Sequence, residues 1–277
     1  MIRLIAMDMD GTLLIHPSEG IAARNAEALR QAAARGVKLA ICSGRTTEDA
    51  SYFALDAGLD MAIMGLNGAY CLDRPLGQCV ANHTMPEQTA WELVAVLDQY
   101  PQMIYGVFSG EDIVLNYQRP DNEHLGIDWG THLGRSGRTF IRQRKEGLDQ
   151  LIKRGVNKIV AVDQAMTGIR ETVREKLNTS VSGMAISSSW INNLEIMPTG
   201  VDKGTAVAEL AQRLGIPMGE VMTLGDNDND IPMLACAGYG VAMANATPGA
   251  LAAAKYRTTR FDEYGVAAAI EKYVLKA

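Results

Sequence analysis

The sequence predicts an α/β protein, a doubly wound, mostly parallel sheet interrupted by an inserted α+β domain. Short apolar runs alternate with helical stretches at the start of the chain, the same alternation returns near its end, and the segment between them has a different order. The chain has 277 residues, of which 47% are hydrophobic and 21% charged, a balance typical of globular proteins. At roughly 100 to 200 residues per domain, this length fits two domains.

The first segment, residues 1–83, alternates strands and helices. One predicted helix ends at Gly36, and the next begins near Thr46 or Thr47, with acidic residues in its first turn. This order predicts a parallel sheet. The apolar runs predict its strands at 4–7, 37–42 and 61–64.

The middle segment, 84–190, begins with a helix opened by Pro86 and continues with strands and helices in α+β order. From 191 to 277 the alternation of strands and helices returns, with a helix beginning at Lys203. We therefore predict a discontinuous core, 1–83 and 191–277, that contains a separate domain at 84–190.

Acidic residues follow two of the apolar strands. Asp8 and Asp10 lie two residues apart after the first strand, and Asp226 and Asp230 follow the strand at 221–224. Parallel strands deliver their carboxyl ends to one crevice, where several carboxylates would repel one another unless they share a cation. Oxygen ligands of this kind suit Mg²⁺. The alternative is that either group, taken alone, consists of turn or helix-cap residues.

Two further elements are typical of phosphate binding. Ser43, Gly44 and Arg45 lie between a strand and a helix, where a hydroxyl, backbone N–H groups and a helix N-terminus can converge on an anion. Lys203 opens a helix against the preference of the helix dipole, which suggests an anionic partner. A plain strand-to-helix turn and a solvated lysine remain the alternatives.

Composition and missing motifs exclude several classes. With 26 basic and 32 acidic side chains the net charge is −6, so no nucleic-acid partner is expected. No P-loop or dinucleotide-binding glycine pattern occurs. The uncharged stretch 231–254 contains Pro232 and Pro248, so we expect no membrane span. Four cysteines without zinc-ligand spacing, and a start without a leader pattern, predict a cytoplasmic protein.

Taken together, the four groups resemble the motifs of the haloacid dehalogenase (HAD) superfamily, in its Cof-like phosphatase branch with a type IIB cap. The groups are, in order, Asp8-x-Asp10-Gly-Thr12, Ser43-Gly-Arg45, Lys203 and Gly225-Asp226-x-x-Asn229-Asp230. The resemblance covers both core segments. It implies a Rossmann-like core and makes the inserted domain an α/β cap over the active site.

The resemblance also implies a mechanism. Asp8 would attack phosphorus to give an aspartyl-phosphate, and Asp10 would protonate the leaving oxygen and later deprotonate water. Lys203 is the third implied catalytic residue. The implied phosphoryl-binding groups are Ser43, Gly44, Arg45, Asn229 and Lys203. The implied ligands of Mg²⁺ are Asp8, the main-chain carbonyl of Asp10, Asp226 and Asp230.

The expected function is therefore a Mg²⁺-dependent phosphomonoester hydrolase, a monomer or homodimer, that acts on small phosphorylated metabolites such as sugar phosphates. The alternatives are a phosphomutase or phosphotransferase, and a catalytically silent protein that binds phosphorylated metabolites. A dehalogenase is disfavoured because that branch lacks a carboxylate at the position of Asp10.

The inserted domain contains a basic cluster that could contact a second anionic group, although a solvated surface is the favoured interpretation. The cluster consists of Arg135, Arg138, Arg142 and Arg144. We interpret His83, His124, His132, Trp91, Trp129 and Trp190 as structural residues.

Overall fold

A computed structural model of the chain describes residues 1–16, 19–116, 141–144, 147–189 and 191–276. The chain divides into two compact units. The first comprises Met1–Ala81 and Asp202–Ala277, and the second comprises Asn82–Val201. The second unit is thus inserted in the sequence of the first.

The described strands are β1 (Leu4–Met7), β2 (Lys38–Cys42), β3 (Ala62–Gly65), β4 (Tyr70–Leu72), β5 (Cys79–Asn82), β6 (Met103–Ser109), β7 (Asp112–Leu115), β8 (Ile141–Gln143), β9 (Lys158–Asp163), β10 (Met184–Ser187), β11 (Asn193–Pro198), β12 (Val221–Gly225), β13 (Tyr239–Ala242) and β14 (Tyr256–Arg257). The described α-helices are α1 (Ala23–Ala34), α2 (Thr47–Asp56), α3 (Glu87–Leu97), α4 (Leu148–Arg154), α5 (Ile169–Ser180), α6 (Lys203–Arg213), α7 (Ile231–Cys236), α8 (Pro248–Ala253) and α9 (Gly265–Ile270).

The sheet of the first unit has eight strands in the order β14-β13-β12-β1-β2-β3-β4-β5. The six strands from β14 to β3 are parallel, and β4 pairs with β3 in the antiparallel direction. From β1 the chain continues to β2 on one side, and it returns as β12 on the other. In open α/β sheets, ligands bind at the carboxyl ends of strands where the order reverses in this way. The predicted fold class is confirmed.

Helices cover both faces of this sheet. Ile5 and Met7 of β1 belong to a hydrophobic cluster that also contains residues of α1, α2 and α9. Leu4 and Ala6 belong to another cluster with residues of α6 and α7. All four residues of β1 are buried, because alternate side chains enter opposite cores. This burial holds the end of β1, and with it Asp8, in a rigid position.

The local signals at the ends of α1 and α2 predicted their positions closely. Gly36, two residues after α1, has φ +83°, a conformation that favours glycine. Thr46 accepts a hydrogen bond from the Asp49 N–H and so caps α2. The α1 terminus and the predicted α2 start are therefore confirmed.

The second unit contains a six-stranded sheet in the order β10-β11-β9-β6-β7-β8. Its hydrophobic cluster combines residues of β6, β9 and β11 with residues of α3, α4 and α5. Because β11 pairs with β9 and β10, the unit extends to Val201 rather than to 190 as the sequence predicted. The apolar run of β11 fits either sheet by composition, and only its pairing decides between them.

Two helices have ends that local contacts or geometry define. α5 begins at Ile169, after a loop in which the carboxylate of Asp163 accepts hydrogen bonds from Thr167 and from the Gly168 N–H. α9 ends at Ile270, and the chain continues as a π-helix over Glu271–Leu275.

None of the helices in the described ranges is long and apolar enough to cross a membrane. The uncharged stretch 231–254 folds instead as α7, β13 and α8. All four cysteines are free thiols, two of them buried.

Candidate active site

A buried lysine joins two of the predicted carboxylates. Asp8 follows β1 directly, and Nζ of Lys203, at the start of α6, donates to Oδ1 of Asp8 at 2.7 Å and to Oδ1 of Asp230 at 2.6 Å. Lys203 and Asp230 are fully buried, and Asp8 is 6% exposed. Asp202 caps α6 through the Thr205 N–H, which fixes the first turn that carries Lys203.

Asp230 also closes the acidic loop that follows β12. Its Oδ2 accepts hydrogen bonds from the backbone N–H groups of Asp226 and Asn227, at 2.8 and 2.9 Å. A Cβ at Gly225 would lie 2.6 Å from the Cβ of Asp230, so only glycine allows this close approach. Asp230 therefore holds both the loop that presents Asp226 and the ammonium group of Lys203.

Thr12 joins the β1 loop to the acidic loop, and Asn245 joins the β1 loop to the segment that follows β13. Sequence reasoning assigned no separate role to Thr12, Gly11 or Asn245. The hydroxyl of Thr12 donates to Oδ1 of Asp226 at 2.7 Å. Nδ2 of Asn245 donates to the Gly11 carbonyl at 2.9 Å. Two features of the sequence could have indicated these roles. Thr12 lies inside the first motif, and Asn245 is a polar residue just beyond the carboxyl end of β13.

The carboxylates of Asp8, Asp226 and Asp230 form a group that could hold a metal ion. One oxygen from each lies within 4.8 Å of the others. Burial, and then the charge of Asp230 and other carboxylates, raises the pKa of Asp8, although Lys203 opposes the shift. Burial likewise raises the pKa of Asp226 to about 6. Burial and the neighbouring carboxylates thus disfavour the charged forms of both groups, and a divalent cation would favour those forms.

Asp10 lies two residues after Asp8, in the loop that follows β1, and its carboxylate contacts Arg45. Nε and one terminal nitrogen of Arg45 donate to the two oxygens of Asp10, both at 2.7 Å, and the other terminal nitrogen donates to Asp49 at 2.5 Å. Burial alone would lower the pKa of Arg45, but hydrogen bonds and attraction to Asp10 and Asp49 raise it. Arg45 thus contacts carboxylates here, and phosphate binding by Arg45 stays a prediction.

Ser43 and Gly44 follow β2, the strand beside β1. The Ser43 hydroxyl accepts a hydrogen bond from the Arg45 N–H at 3.2 Å, and the Ser43 carbonyl accepts one from the Asn67 N–H at 2.8 Å. The thiol of Cys42 donates to the Lys203 carbonyl at 3.8 Å, which places the start of this loop against α6. The structure therefore brings the second motif to the same end of the sheet as Asp8.

Asn229 contacts Asn67, a buried residue with φ +56° in the loop after β3. Nδ2 of Asn229, the atom that would hold a phosphoryl oxygen, donates to Oδ1 of Asn67 at 3.3 Å. Among the described residues, Oδ1 of Asn229 is a buried side-chain atom without a hydrogen-bond partner. Such an acceptor suits a donor from water or substrate, and phosphate binding by Asn229 stays a prediction.

The basic cluster of the second unit stays largely untested as a contact for a second anionic group, because most of its side chains lie outside the described residues. Arg144 forms an ion pair with Asp98, with nitrogen-to-oxygen distances of 2.5 and 2.7 Å. Arg135, Arg138, His124, His132, Trp129 and Trp190 lie outside the described residues, as does the side chain of Arg142.

Comparison with known families agrees with this geometry. The family model described as haloacid dehalogenase-like hydrolase matches residues 5–270. The chain belongs to this family. Six curated relatives, at 27–31% identity, are named phosphatases, and this hydrolase is an enzyme of the phosphatase class, in the Cof-like branch.

Two curated relatives and one solved structure illustrate the similarity. The hydrolase is 30% identical over 276 residues to the 5-amino-6-(5-phospho-D-ribitylamino)uracil phosphatase YcsE of Bacillus subtilis, covering 99% of this chain and 96% of the relative. It is 31% identical over 254 residues to the HMP-PP phosphatase of Cronobacter sakazakii, covering 91% and 88%. A solved HAD subclass IIB sugar phosphatase superposes with a TM-score of 0.81 at 23% identity, covering 98% of each chain.

Proposed function

We propose that this phosphatase is a Mg²⁺-dependent phosphomonoester hydrolase that forms an aspartyl-phosphate on Asp8. The observation that carries the proposal is the position of Asp8. It is a buried carboxylate at the end of the central strand, bonded to Lys203 and grouped with Asp226 and Asp230. A nucleophile, a cation and a set of hard oxygen ligands thus meet at the switch point of the sheet.

The donor set fits Mg²⁺. Asp8 and Asp226 would ligate it with side-chain oxygens, and Asp10 with its main-chain carbonyl. Both oxygens of Asp230 already accept hydrogen bonds, from Lys203 and from the loop, so Asp230 would support the site from outside or through water. When bound, the ion neutralises charge on the transferring phosphoryl group.

The chain's own groups divide the remaining work. Asp8 attacks phosphorus, and the bond from Lys203 holds its carboxylate in one orientation. Ser43, the Gly44 N–H and Lys203 bind the phosphoryl oxygens, which lie in the crevice between β1 and β2. Asp10 gives its proton to the leaving oxygen and later takes one from water. Since phosphoryl transfer depends mainly on positioning and charge, these contacts matter as much as the nucleophile.

We propose sugar phosphates and similar small phosphorylated metabolites as substrates. The relatives are named for 5-amino-6-(5-phospho-D-ribitylamino)uracil and HMP-PP, and the solved neighbour is named a sugar phosphatase. We place the reaction in the cytoplasm, where the four free thiols would stay reduced.

The test is a phosphate-release screen over sugar phosphates, nucleotides and phosphorylated cofactors, with Mg²⁺ and with excess chelator. We expect turnover of several sugar phosphates, loss of activity in chelator, and no turnover by Asp8→Asn. Phosphate release that persists in chelator would contradict the metal, and activity in Asp8→Asn would contradict the covalent step. Binding without turnover across the panel would revive a silent binding protein. Phosphate transfer that requires an added acceptor would indicate a phosphotransferase.

A further inference from the structure

Arg45 is held on every side of its guanidinium. Nε and one terminal nitrogen make a two-bond fork to the two oxygens of Asp10, and the other terminal nitrogen bonds Asp49. The guanidinium carbon lies 5.2 Å from the centre of the Phe53 ring. The side chain of Arg45 is 6% exposed and that of Asp49 fully buried, whereas the side chain of Asp10 is 45% exposed. A buried guanidinium group therefore binds one partly exposed carboxylate, that of Asp10.

The main chain of Arg45 is fixed as well. Its N–H donates to the Ser43 hydroxyl, and its carbonyl accepts a hydrogen bond from the Leu66 N–H at 2.8 Å. Asp49 lies in the first turn of α2, and Phe53 lies about one turn further along the helix. The position of the fork is thus set by β2, α2 and the loop after β3 together, and not by Asp10 itself.

These contacts oppose a phosphate-binding role. A phosphoryl group bound by the fork would have to displace Asp10, because the fork's two N–H groups already meet carboxylate oxygens in near-ideal bidentate geometry. Rotation of Arg45 towards a ligand would also leave Asp49 as a buried carboxylate without this cation, which is strongly unfavourable.

We propose that Arg45 is a positioning residue for Asp10, holding its carboxylate in the orientation that delivers a proton to the leaving-group oxygen. The inference rests on the proposed function. As the bond from Asp8 to phosphorus forms and the ester P–O bond breaks, the proton of Asp10 passes to the departing oxygen. The fork uses one lone pair on each oxygen of Asp10 and leaves another for that proton. In the second step Asp10 takes a proton from water while the oxygen of that water displaces Asp8 from phosphorus.

A positioning role for Arg45 predicts that its loss affects some substrates and not others, according to the basicity of the leaving group. A leaving group that is stable as an anion needs no proton, whereas an ordinary phenol or alcohol does. Loss of Arg45 should therefore harm only substrates with basic leaving groups. We use kcat/KM, because it depends on the steps up to the departure of the alcohol or phenol and does not depend on the later hydrolysis of the aspartyl-phosphate.

The experiment compares phenyl phosphate with 2,4-dinitrophenyl phosphate, two aryl esters whose leaving groups differ strongly in basicity, in Arg45→Gln and Arg45→Lys. We expect kcat/KM for phenyl phosphate to fall about 10- to 100-fold, less than the roughly 100- to 10,000-fold of general acid catalysis because Asp10 itself remains, and to change less than about threefold for the dinitrophenyl ester. Arg45→Lys keeps the charge but loses the fork, so it should recover only part of the loss. In an Asp10→Ala background, Arg45→Gln should add no further selectivity.

Two further variants keep the test decisive. Arg45→Gln with Asp49→Asn removes the buried charge left by the first substitution and serves if the single variant does not fold. Arg35→Gln is the matched control, since Arg35 donates to the backbone carbonyls of Val274 and Leu275, away from Asp10. We expect it to leave the ratio of the two kcat/KM values unchanged.

An equal fall for both substrates would overturn the proposal, since loss of a phosphate contact or of general structure harms both alike. If the wild type cleaves neither aryl ester, the phosphate-release screen still decides the proposed function, and the contact between Arg45 and Asp10 is tested separately. The ¹⁵N-detected Nε–H signal of Arg45 should exchange slowly in the wild type and in Asp8→Asn, and rapidly in Asp10→Ala. Equal exchange in all three proteins would also overturn the proposal.

Discussion

Several charged side chains of this site bond two partners at once, and this limits the further contacts that each of them can make. Asp230 uses one oxygen for Lys203 and the other for two backbone N–H groups of its own loop. Lys203 neutralises Asp8 and Asp230 together, and they raise its pKa although burial would lower it. Burial raises the pKa of the third acid, Asp226, and repulsion by Asp230 adds to this shift.

Asp226→Asn should stabilise the metal-free enzyme at neutral pH. Burial raises the pKa of Asp226 from 3.8 to about 6. Between these values the folded state binds more protons than the unfolded state, so the free energy of unfolding falls as pH rises through that window. Removing the carboxyl group should raise the free energy of unfolding at pH 7 by about 1–3 kcal/mol. The measurement is urea unfolding from pH 4 to 7.5 in chelator.

The difference between the two proteins should be smallest near pH 4, where Asp226 is protonated in the folded state and only partly ionised in the unfolded state. Added Mg²⁺ should stabilise the wild type and not the variant, because only the wild type retains the ligand. Parallel stability curves for both proteins across the pH range would refute the prediction.

At the residue scale, the sequence predicted which residues form the site more reliably than it predicted the contacts between them. Asp8, Asp226, Asp230 and Lys203 were predicted to meet, and their side chains do lie together. Arg45 was expected near phosphate because of its charge and place in a turn. Asp10 and Asp49 both reach it, and no local pattern reveals that the fork closes on Asp10 across 35 positions of sequence.

At the scale of elements, two loops carry the site and touch at a glycine. Gly11 has φ +78°, and a Cβ there would lie 2.5 Å from Oδ2 of Asp226. The β1 loop and the acidic loop can therefore approach only where residue 11 has no side chain. Thr12 then reaches Asp226 by its hydroxyl.

Gly11→Ala should lose activity far beyond its loss of stability. The left-handed backbone alone costs about 1–2 kcal/mol for a residue with a Cβ. The added methyl group must also displace the carboxylate of Asp226, so we expect kcat/KM to fall at least tenfold and Mg²⁺ to bind more weakly. Phosphate release, Mg²⁺ titration and urea unfolding provide the measurements.

Gly36→Ala is the matched control for this change. Gly36 has φ +83°, and a Cβ there would meet no atom within 4 Å. It should lose a similar amount of stability while keeping wild-type kcat/KM. Equal loss of activity in the two variants would show that backbone strain, and not contact with Asp226, is responsible.

At the scale of the whole molecule, the two units differ in how the chain builds them. The second unit is one continuous segment with its own sheet and its own hydrophobic cluster. The first unit is assembled from two segments, since β1 pairs with β2 of the first segment and with β12 of the second.

Residues 82–201 should therefore fold when expressed alone, and residues 1–81 should not. The isolated segment 1–81 exposes both the edge of β1 and the cluster residues that Met222, Val241 and Val266 cover. Circular dichroism and urea unfolding of the two fragments test this. A cooperative transition in 1–81, or its absence in 82–201, would contradict the assignment of the units.

The sequence by itself determined the fold class, the elements of the core and the residue types of the site, because these follow from local periodicity, capping signals and motif spacing. Only the tertiary structure decided that β11 belongs to the inserted unit, that Thr12 bonds the acidic loop, that Asn245 bonds the β1 loop, and that Arg45 bonds Asp10. These outcomes depend on contacts between segments that are distant in the sequence. Each side chain involved could bond several different partners, and the local sequence does not indicate which one it bonds.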